Sequence, residues 1–286
     1  MNNNIYPCVW FNDNGPEAAK FYCTIFPNTK ITESTPLVQM LSINGQNLML
    51  LTAGPMFKAN ASISFLIANE DENETERLYH KLIEGGMALM PLNSYPFSKK
   101  YGWVMDKYGV SWQLYTGVNG GTDQYFTPTF MFVNKQNGRA KEAMEFYTKL
   151  FPNSRTEGIM EYPEGGEDKP GNVQHAQFQI SGYTLACMDS SLNHQFNFDE
   201  GISLTVLTNN QEETDHYWNT MTKDGGAESM CGWLKDKFGV SWQITPKRLL
   251  ELINQADRKK GQKAMEAMMQ MKKIIVADIE KASAAA

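Results

Sequence analysis

The sequence is poor in cysteine and histidine, with 4 of each among 286 residues, and it has no long apolar run. No two cysteines have the C-x-x-C spacing of a zinc site. No stretch of about 18 apolar residues is present that could form a membrane-spanning helix, and the first residues lack the basic and apolar segments of a secretory signal. These absences predict a cytoplasmic protein that does not associate with membranes.

Basic residues are too few to form a nucleic-acid-binding surface. The formal net charge is −6, and no run of Lys and Arg alternates with aromatic residues, so nucleic acid is not an expected partner. Hydrophobic residues make up 42% of the chain and charged residues 20%, which is typical of folded globular proteins. A chain of this length is expected to form two domains, each with its own core.

An internal repeat divides the chain into two copies. The segments 21–30 and 102–114 recur, in the same order, as 146–155 and 232–244. The second segment reads G-W-x-x-D-K-(Y/F)-G-V-S-W-Q in both copies, and a Gly-rich stretch without apolar periodicity separates the copies. The repeat predicts a domain at 1–116, a linker at 117–124, a second domain at 125–246 and a helical tail at 247–286.

Each copy contains the same order of elements twice. In copy one a short apolar run at 5–11 precedes a helix whose apolar face extends from Ala18 to Ile25. Three strand-like segments follow, and Asn44-Gly45 between the last two is a strong hairpin signal. A strand near Ile63, a second helix and further strands then repeat the order. We therefore predict an α+β fold in which each copy consists of two β-α-β-β-β modules.

Two motifs, each present in both copies, carry a resemblance to a known family. The first is an apolar strand and a helix ending in F-Y-x-x-(I/L)-F-P-N-(S/T), and the second is the G-W-x-x-D-K segment described above. Together they resemble the PhnB-like family, often labelled 3-demethylubiquinone-9 3-methyltransferase, of the vicinal-oxygen-chelate superfamily of glyoxalases, dioxygenases and bleomycin-resistance proteins. The resemblance implies that paired modules curl into an open barrel with a small-molecule cavity on its concave side.

The resemblance also implies a divalent metal cofactor, held by His or Gln on the first strand, an acidic residue on the fourth, His on the fifth and Glu on the last. Such a metal chelates two substrate oxygens as a Lewis acid. This chain departs from that pattern, because its first and fifth strands contain no His and its last strands carry Gln113 and Gln243 in place of Glu. A neutral amide is a poor ligand. We therefore expect that the metal site has been lost.

Candidate ligand-binding residues follow from strand alternation. Gln113 and Gln243 each share a strand face with a serine, opposite a tryptophan, and His175 shares a face with Gln177. Asp189, on the next strand, is a candidate partner that orients His175 or binds a metal. The candidates are His175, Gln177, Asp189, Trp233, Gln243, Gln113 and Trp103, with His175, Asp189 and Gln243 as the weak metal candidates.

Each of these candidates has an alternative structural explanation. The glutamines are also expected to bond neighbouring strands, His175 to face solvent, and Asp189 to cap a turn. Trp103 and Trp233 are equally compatible with core packing, which is the favoured interpretation for Trp112 and Trp242.

Three functions are compatible with the sequence. The expected one is a module that binds a small organic molecule without a metal. The second is a metal-dependent lyase, isomerase or dioxygenase that uses copy two. The third, a methyltransferase, is disfavoured because the common S-adenosylmethionine fold needs a Gly-rich turn between a strand and a helix, whereas Gly85-Gly86 and Gly225-Gly226 follow helices. A bound divalent metal and a homodimer both stay open.

Overall fold

A computed structural model describes residues 4–118 and 122–285, so residues 119–121 of the expected linker lie outside the described residues. By their contacts, residues 7–202 form one compact unit, and residues 4–6 together with 203–285 form a second unit. The repeat and the contacts thus divide the chain at different places. Across the described residues, no helix is long and apolar enough to cross a membrane.

Both copies follow the predicted order of strands and helices. Copy one consists of β1 (Ile5–Phe11), α1 (Gly15–Ile25), β2 (Thr29–Ser34), β3 (Val38–Ile43), β4 (Gln46–Thr52), β5 (Ile63–Asn69), α2 (Glu72–Leu82), β6 (Met87–Tyr95), β7 (Ser98–Met105) and β8 (Ser111–Thr116). Copy two consists of β9 (Thr127–Val133), α3 (Ala140–Leu150), β10 (Arg155–Glu161), β11 (Val173–Ile180), β12 (Tyr183–Ser190), β13 (Ile202–Thr208), α4 (Gln211–Met221), β14 (Ala227–Glu228), β15 (Trp233–Lys235) and β16 (Ser241–Pro246). The tail forms α5 (Lys247–Ile253), α6 (Arg258–Met268) and α7 (Val276–Ala284).

Local sequence signals explain where several elements begin and end. Asn44 and Gly45 both have positive φ, 49° and 87°, as a two-residue hairpin turn requires, and they connect β3 to β4. Asp71 caps α2 by accepting a hydrogen bond from the backbone N–H of Asn73. Gly85, with φ of 75°, follows the end of that helix and provides the left-handed residue that commonly follows a helix.

The strands of the first unit form two sheets. The smaller has the order β1-β4-β3-β2, with β1 parallel to β4. The larger has eight strands in the order β10-β11-β12-β9-β5-β8-β7-β6, and β5 and β9 pair antiparallel at its centre. It is an open sheet with edge strands β10 and β6, in agreement with the expected open architecture.

The central pairing of β5 with β9 crosses the repeat boundary. It joins the second module of copy one to the first module of copy two, whereas the family resemblance implied that the two modules of each copy form one barrel. The first strand of every module has one edge of unpaired N–H and C=O groups that another module can satisfy. Strand β8 pairs with one edge of β5, and β9 pairs with the other. Because only residues 117–126 separate β8 from β9 in the sequence, β9 is the next strand of the chain that can pair with the free edge of β5.

Helices α2 and α3 cover one face of the eight-stranded sheet. Thr75 of α2 hydrogen-bonds Thr116 of β8 at 2.8 Å, and the Tyr147 ring of α3 stacks on Phe178 of β11. The large side chains on this face are fully buried, and they include Phe65, Trp112, Phe130 and Phe178. The predicted core position of Trp112 is therefore correct.

The repeated D-K-(Y/F)-G-V-S-W segment forms a turn around a buried carboxylate. Asp106 accepts hydrogen bonds from the backbone N–H groups of Tyr108 and Val110, from Trp112 Nε1 and from the Tyr22 hydroxyl, all at 2.8–3.0 Å. Burial raises the pKa of Asp106, and these donors oppose the rise. Asp236 accepts the equivalent backbone and tryptophan bonds in copy two. The most similar segment of the two copies therefore has a structural role.

The second unit has a four-stranded arrangement in the order β14-β15-β16-β13. Helices α5–α7 pack around a small core that contains Leu252, Ala264 and Ile279. The segment after α6 hydrogen-bonds the start of β15, because the backbone N–H groups of Cys231 and Gly232 donate to the carbonyls of Met271 and Lys272. The helical tail thus docks on the second module of copy two.

Candidate functional site

The face of the eight-stranded sheet that points away from α2 and α3, called the open face below, carries most of the candidate residues. Strand register assigns its side chains, because paired residues point to the same side. Its four central strands contribute Thr184, Ala186 and Met188 of β12, Thr127, Thr129 and Met131 of β9, Ser64, Leu66 and Ala68 of β5, and Ser111, Gln113 and Tyr115 of β8. Leu66, Ala68, Met188 and Tyr115 are half-buried and the other eight side chains are buried, so part of the face is accessible.

Four of the seven predicted site residues lie on this open face. Trp103 of β7 pairs with Gln113 of β8, and His175 and Gln177 lie on β11, where Gln177 pairs with Ala186. Strands β5, β9 and β12 separate β8 from β11. At about 4.8 Å per strand, these two groups are roughly 19 Å apart along the sheet. They lie toward opposite sides of the open face and do not form one cluster.

Gln113 is held in a closed hydrogen-bond network. Its Oε1 accepts from the Tyr101 hydroxyl at 2.8 Å, and its Nε2 donates to Ser64 Oγ at 2.7 Å. Burial raises the pKa of Tyr101, which keeps this hydroxyl a neutral donor. Trp103 Nε1 donates to Ser111 Oγ at 2.7 Å. The polar groups of β7 and β8 thus satisfy one another, as the structural explanation of Gln113 predicts.

His175 presents a neutral imidazole on the other border of the open face. The side chain is half-buried, and loss of solvation lowers its pKa. The structure records no hydrogen bond from the described residues to this ring. Its strand neighbour Gln177 donates from Nε2 to Glu157 Oε2 at 2.7 Å. His175 therefore offers one donor and one acceptor nitrogen to a ligand.

Asp189 lies on the opposite face of the sheet from His175, so the proposed pairing of these two residues is not formed. Its carboxylate accepts from the backbone N–H groups of Gly138, Ala140 and Val173, at 2.8, 3.2 and 2.9 Å. These bonds anchor the first turn of α3 to β11. Burial raises the pKa of Asp189, against the effect of the three donors. The sequence analysis weighed Asp189 as the cap of its own turn, whereas its bonds go to the backbone at the start of α3 and of β11.

The donor atoms of the open face do not fit a superfamily metal site. The first and last strands of the two modules, which carry the metal ligands in superfamily enzymes, are its central strands β5, β8, β9 and β12. In these fully described strands the open-face side chains are hydroxyl, amide, thioether and aliphatic or aromatic groups. None is a carboxylate, imidazole or thiolate, the ligands that divalent transition metals prefer. Among all described residues, no group of three or more His, Cys, Asp or Glu is arranged to hold a metal.

Trp233 and Gln243 belong to the second unit, where they repeat part of the copy-one arrangement. Trp233 of β15 pairs with Gln243 of β16, and Gln243 Nε2 donates to Ser203 Oγ of β13 at 3.0 Å. This matches the bond from Gln113 to Ser64 in copy one. Both glutamines thus bridge to the first strand of their own module.

A cleft of about 610 Å³ lies at the end of β8 and was not predicted. Tyr95 and Phe97, whose rings stack 5.5 Å apart at the turn between β6 and β7, line it together with Tyr115. Its volume falls in the range of small-molecule sites, and Tyr115 belongs to both the cleft and the open face. The two aromatic residues of Tyr95-Pro96-Phe97 were the sequence signal for it.

Comparisons with known proteins agree with this architecture. The model of a family described as 3-demethylubiquinone-9 3-methyltransferase matches residues 3–115 and 124–245. Among solved structures, a PhnB protein from Bacillus cereus is 35% identical over 38% of this chain and 96% of its own, with a TM-score of 0.36. No curated protein matches the chain.

Glyoxalase I from Zea mays is similar over both copies. It is 14% identical over 83% of this chain and 89% of its own, with a TM-score of 0.57. A mutant form of the same maize enzyme has the same identity and TM-score over 84% of this chain and 92% of its own. At this identity the likeness shows a shared fold and nothing about activity.

Proposed function

Because the chain belongs to the 3-demethylubiquinone-9 3-methyltransferase family, the PhnB-like branch of the vicinal-oxygen-chelate superfamily, we propose that its open face binds a small organic molecule without a metal ion. The observation that carries this proposal is the neutral character of the four central strands. Where superfamily enzymes place charged metal ligands, this chain has Ser64, Thr129 and Gln113 among aliphatic and thioether groups.

The composition of the open face favours a flat, largely apolar and uncharged ligand. The half-buried Leu66 and Met188 offer apolar surface at its centre, and Trp103 provides an aromatic ring at one border. Methionine side chains adapt to irregular ligands because they are flexible and polarisable. The neutral His175 ring supplies a directional hydrogen bond at the other border.

The two alternative activities have less support. A metal-dependent lyase, isomerase or dioxygenase built on His175, Asp189 and Gln243 needs His175 and Asp189 on one side of the sheet, and they lie on opposite faces. A methyltransferase of the common fold needs a Gly-rich turn that leads from a strand into a helix. Gly85-Gly86 and Gly225-Gly226 instead follow α2 and α4.

The proposal is tested with N-phenyl-1-naphthylamine, a neutral fluorescent probe, titrated into the full chain with and without EDTA. We expect binding that EDTA does not change. Met188→Lys should weaken binding by about tenfold or more, since the probe then competes with desolvation of an ammonium group. Met269→Lys makes the same change at an exposed methionine of the tail and should leave binding unchanged.

Two results would contradict the proposal. One is probe binding that requires an added divalent metal or survives Met188→Lys. The other is about one metal ion per chain by plasma mass spectrometry in protein purified without chelator, lost in His175→Ala, which would favour the metal-dependent alternative.

A further inference from the structure

The cleft at the end of β8 has an aromatic wall on the turn between β6 and β7. The rings of Tyr95 and Phe97 stack with centroids 5.5 Å apart and planes 17° from parallel. Tyr101 packs edge-on against both rings, and the Tyr95 hydroxyl donates to the Pro91 carbonyl at 3.0 Å. Phe97 is nevertheless 48% exposed. A ligand therefore reaches a ring that is already ordered, which lowers the entropic cost of binding.

Two carboxylates and one ammonium group line the same cleft. Glu70 and Glu72 lie between the end of β5 and the first turn of α2, and Lys99 lies on β7. None of these three side chains forms an ion pair with a described residue. Lys100 attracts Glu72 at longer range, but its own ion pair is with Glu76 at 2.7 Å. The lining of the cleft thus carries a net negative charge, and its carboxylates are available to a cation.

The first module forms the equivalent turn without an aromatic pair. There Thr35-Pro36-Leu37 connects β2 to β3, as Tyr95-Pro96-Phe97 connects β6 to β7. The turn therefore does not need two aromatic rings to form.

The nearby carboxylate is also specific to the second module. Phe11 pairs with Thr52 in the first module, as Asn69 pairs with Thr116 in the second. The next residue is Asn12 in the first module and Glu70 in the second. The aromatic wall and the acidic residue thus occur together in one module and are both missing from the other.

We propose that this cleft binds a small aromatic amine in its protonated form. The two carboxylates and the negative faces of the aromatic rings attract the ammonium group, and the apolar part of the ligand packs on Phe97. An anionic ligand would be repelled by two carboxylates and attracted by one lysine. The cleft is built by a turn and by the connection from β5 to α2, so the proposal goes beyond the open-face function and does not depend on it.

The test compares 2-naphthylmethylamine with its neutral analogue 2-naphthylmethanol, each titrated by calorimetry into the full chain at low salt. The amine should bind more tightly than the alcohol, and added salt should reduce the difference. Glu70→Gln should weaken amine binding about threefold or more and leave alcohol binding unchanged. Lys99→Gln should strengthen amine binding, because it removes a like charge.

The aromatic wall is tested with Phe97→Ala, which should weaken the binding of both ligands about fivefold or more. Leu37→Ala is the matched control, since Leu37 is the exposed apolar residue of the equivalent turn in the first module. Glu84→Gln is the control for Glu70→Gln, because Glu84 is exposed after α2 and does not line the cleft. Neither control should change the binding of the amine.

Three outcomes would overturn the proposal. The first is no binding of the amine at millimolar concentration. The second is amine binding that is no tighter than that of the alcohol or that Phe97→Ala does not weaken. The third is tighter binding of 2-naphthylacetate than of the amine, which would make Lys99 the recognised charge. Met188→Lys on the open face should leave amine binding unchanged, and Phe97→Ala should leave N-phenyl-1-naphthylamine binding unchanged, so failure of one proposal is distinguishable from failure of the other.

Discussion

Replacing Asp106 with Ala should destabilise the first unit by about 3–5 kcal/mol. The change removes the acceptor of four hydrogen bonds, and three of the donors, on Tyr22, Val110 and Trp112, belong to fully buried residues. A buried donor left without a partner costs about 1–3 kcal/mol, which gives about 3–9 kcal/mol for the three. Water entering the space left by the carboxylate recovers part of this cost, so the lower part of that range is expected.

Urea unfolding followed by circular dichroism measures this loss, provided that the dependence on urea concentration is the same for wild type and variant. Asp13→Ala is the matched control, because Asp13 is exposed in the same unit and its replacement should change stability by less than about 0.5 kcal/mol. The coupling between Asp106 and Trp112, measured in a double-mutant cycle with Trp112→Phe, should exceed about 0.5 kcal/mol. A loss below about 1 kcal/mol in Asp106→Ala would refute the assignment of the carboxylate as a shared acceptor.

Three further predictions concern other sites. The pKa of the folded His175 imidazole lies below its ordinary value of 6.5, so at pH 5.5 the unfolded chain binds a proton more readily than the folded chain does. The loss of stability in urea between pH 7.5 and pH 5.5 should therefore be smaller in His175→Gln than in wild type. An equal loss in the two proteins would contradict this prediction. Thr205→Val should raise the melting temperature of the ligand-free protein, because the unpaired buried hydroxyl that it removes destabilises the fold by about 1 kcal/mol. A lower melting temperature would show that this hydroxyl has a partner. Gly232→Ala should lower the stability of the second unit by more than about 1 kcal/mol in urea unfolding. The reason is that Gly232 has φ of 83° and that an added Cβ would lie 2.9 Å from the Ile244 carbonyl oxygen. An unchanged urea midpoint would refute the close approach of Gly232 to this carbonyl.

Local signals in the sequence predicted the elements of each module well. Asn44-Gly45 formed the expected hairpin, and the glycine after α2 marked its end. The separation of His175 from Asp189 was also within reach of the sequence. The two-residue turn at Ser181-Gly182 pairs Ile180 with Tyr183, and counting from that pair places His175 opposite Met188, which leaves Asp189 on the other face.

The pairing of β5 with β9 was beyond the reach of local sequence signals. Every module offers a similar first strand with one free edge, and the choice among them depends on long-range closure of the chain, which leaves no local pattern. The cleft near Tyr95 was missed for a related reason, since it forms where the turn between β6 and β7 meets the end of β8. The register within a module follows from short turns, whereas the association of modules does not.

On the side of the sheet away from the helices, some positions are identical in the two copies and others change polarity. On the helix-covered side Asp106, Trp112 and Val110 have identical counterparts in Asp236, Trp242 and Val240, because a close-packed core tolerates little change in volume or polarity. On the other side copy two has Thr205 for Leu66, Lys235 for Met105 and Thr245 for Tyr115. Exchanging apolar for polar groups on a half-buried surface is costly unless something there uses the new donors. The pattern of divergence thus predicts that the two faces differ in the polarity of the surface that they present.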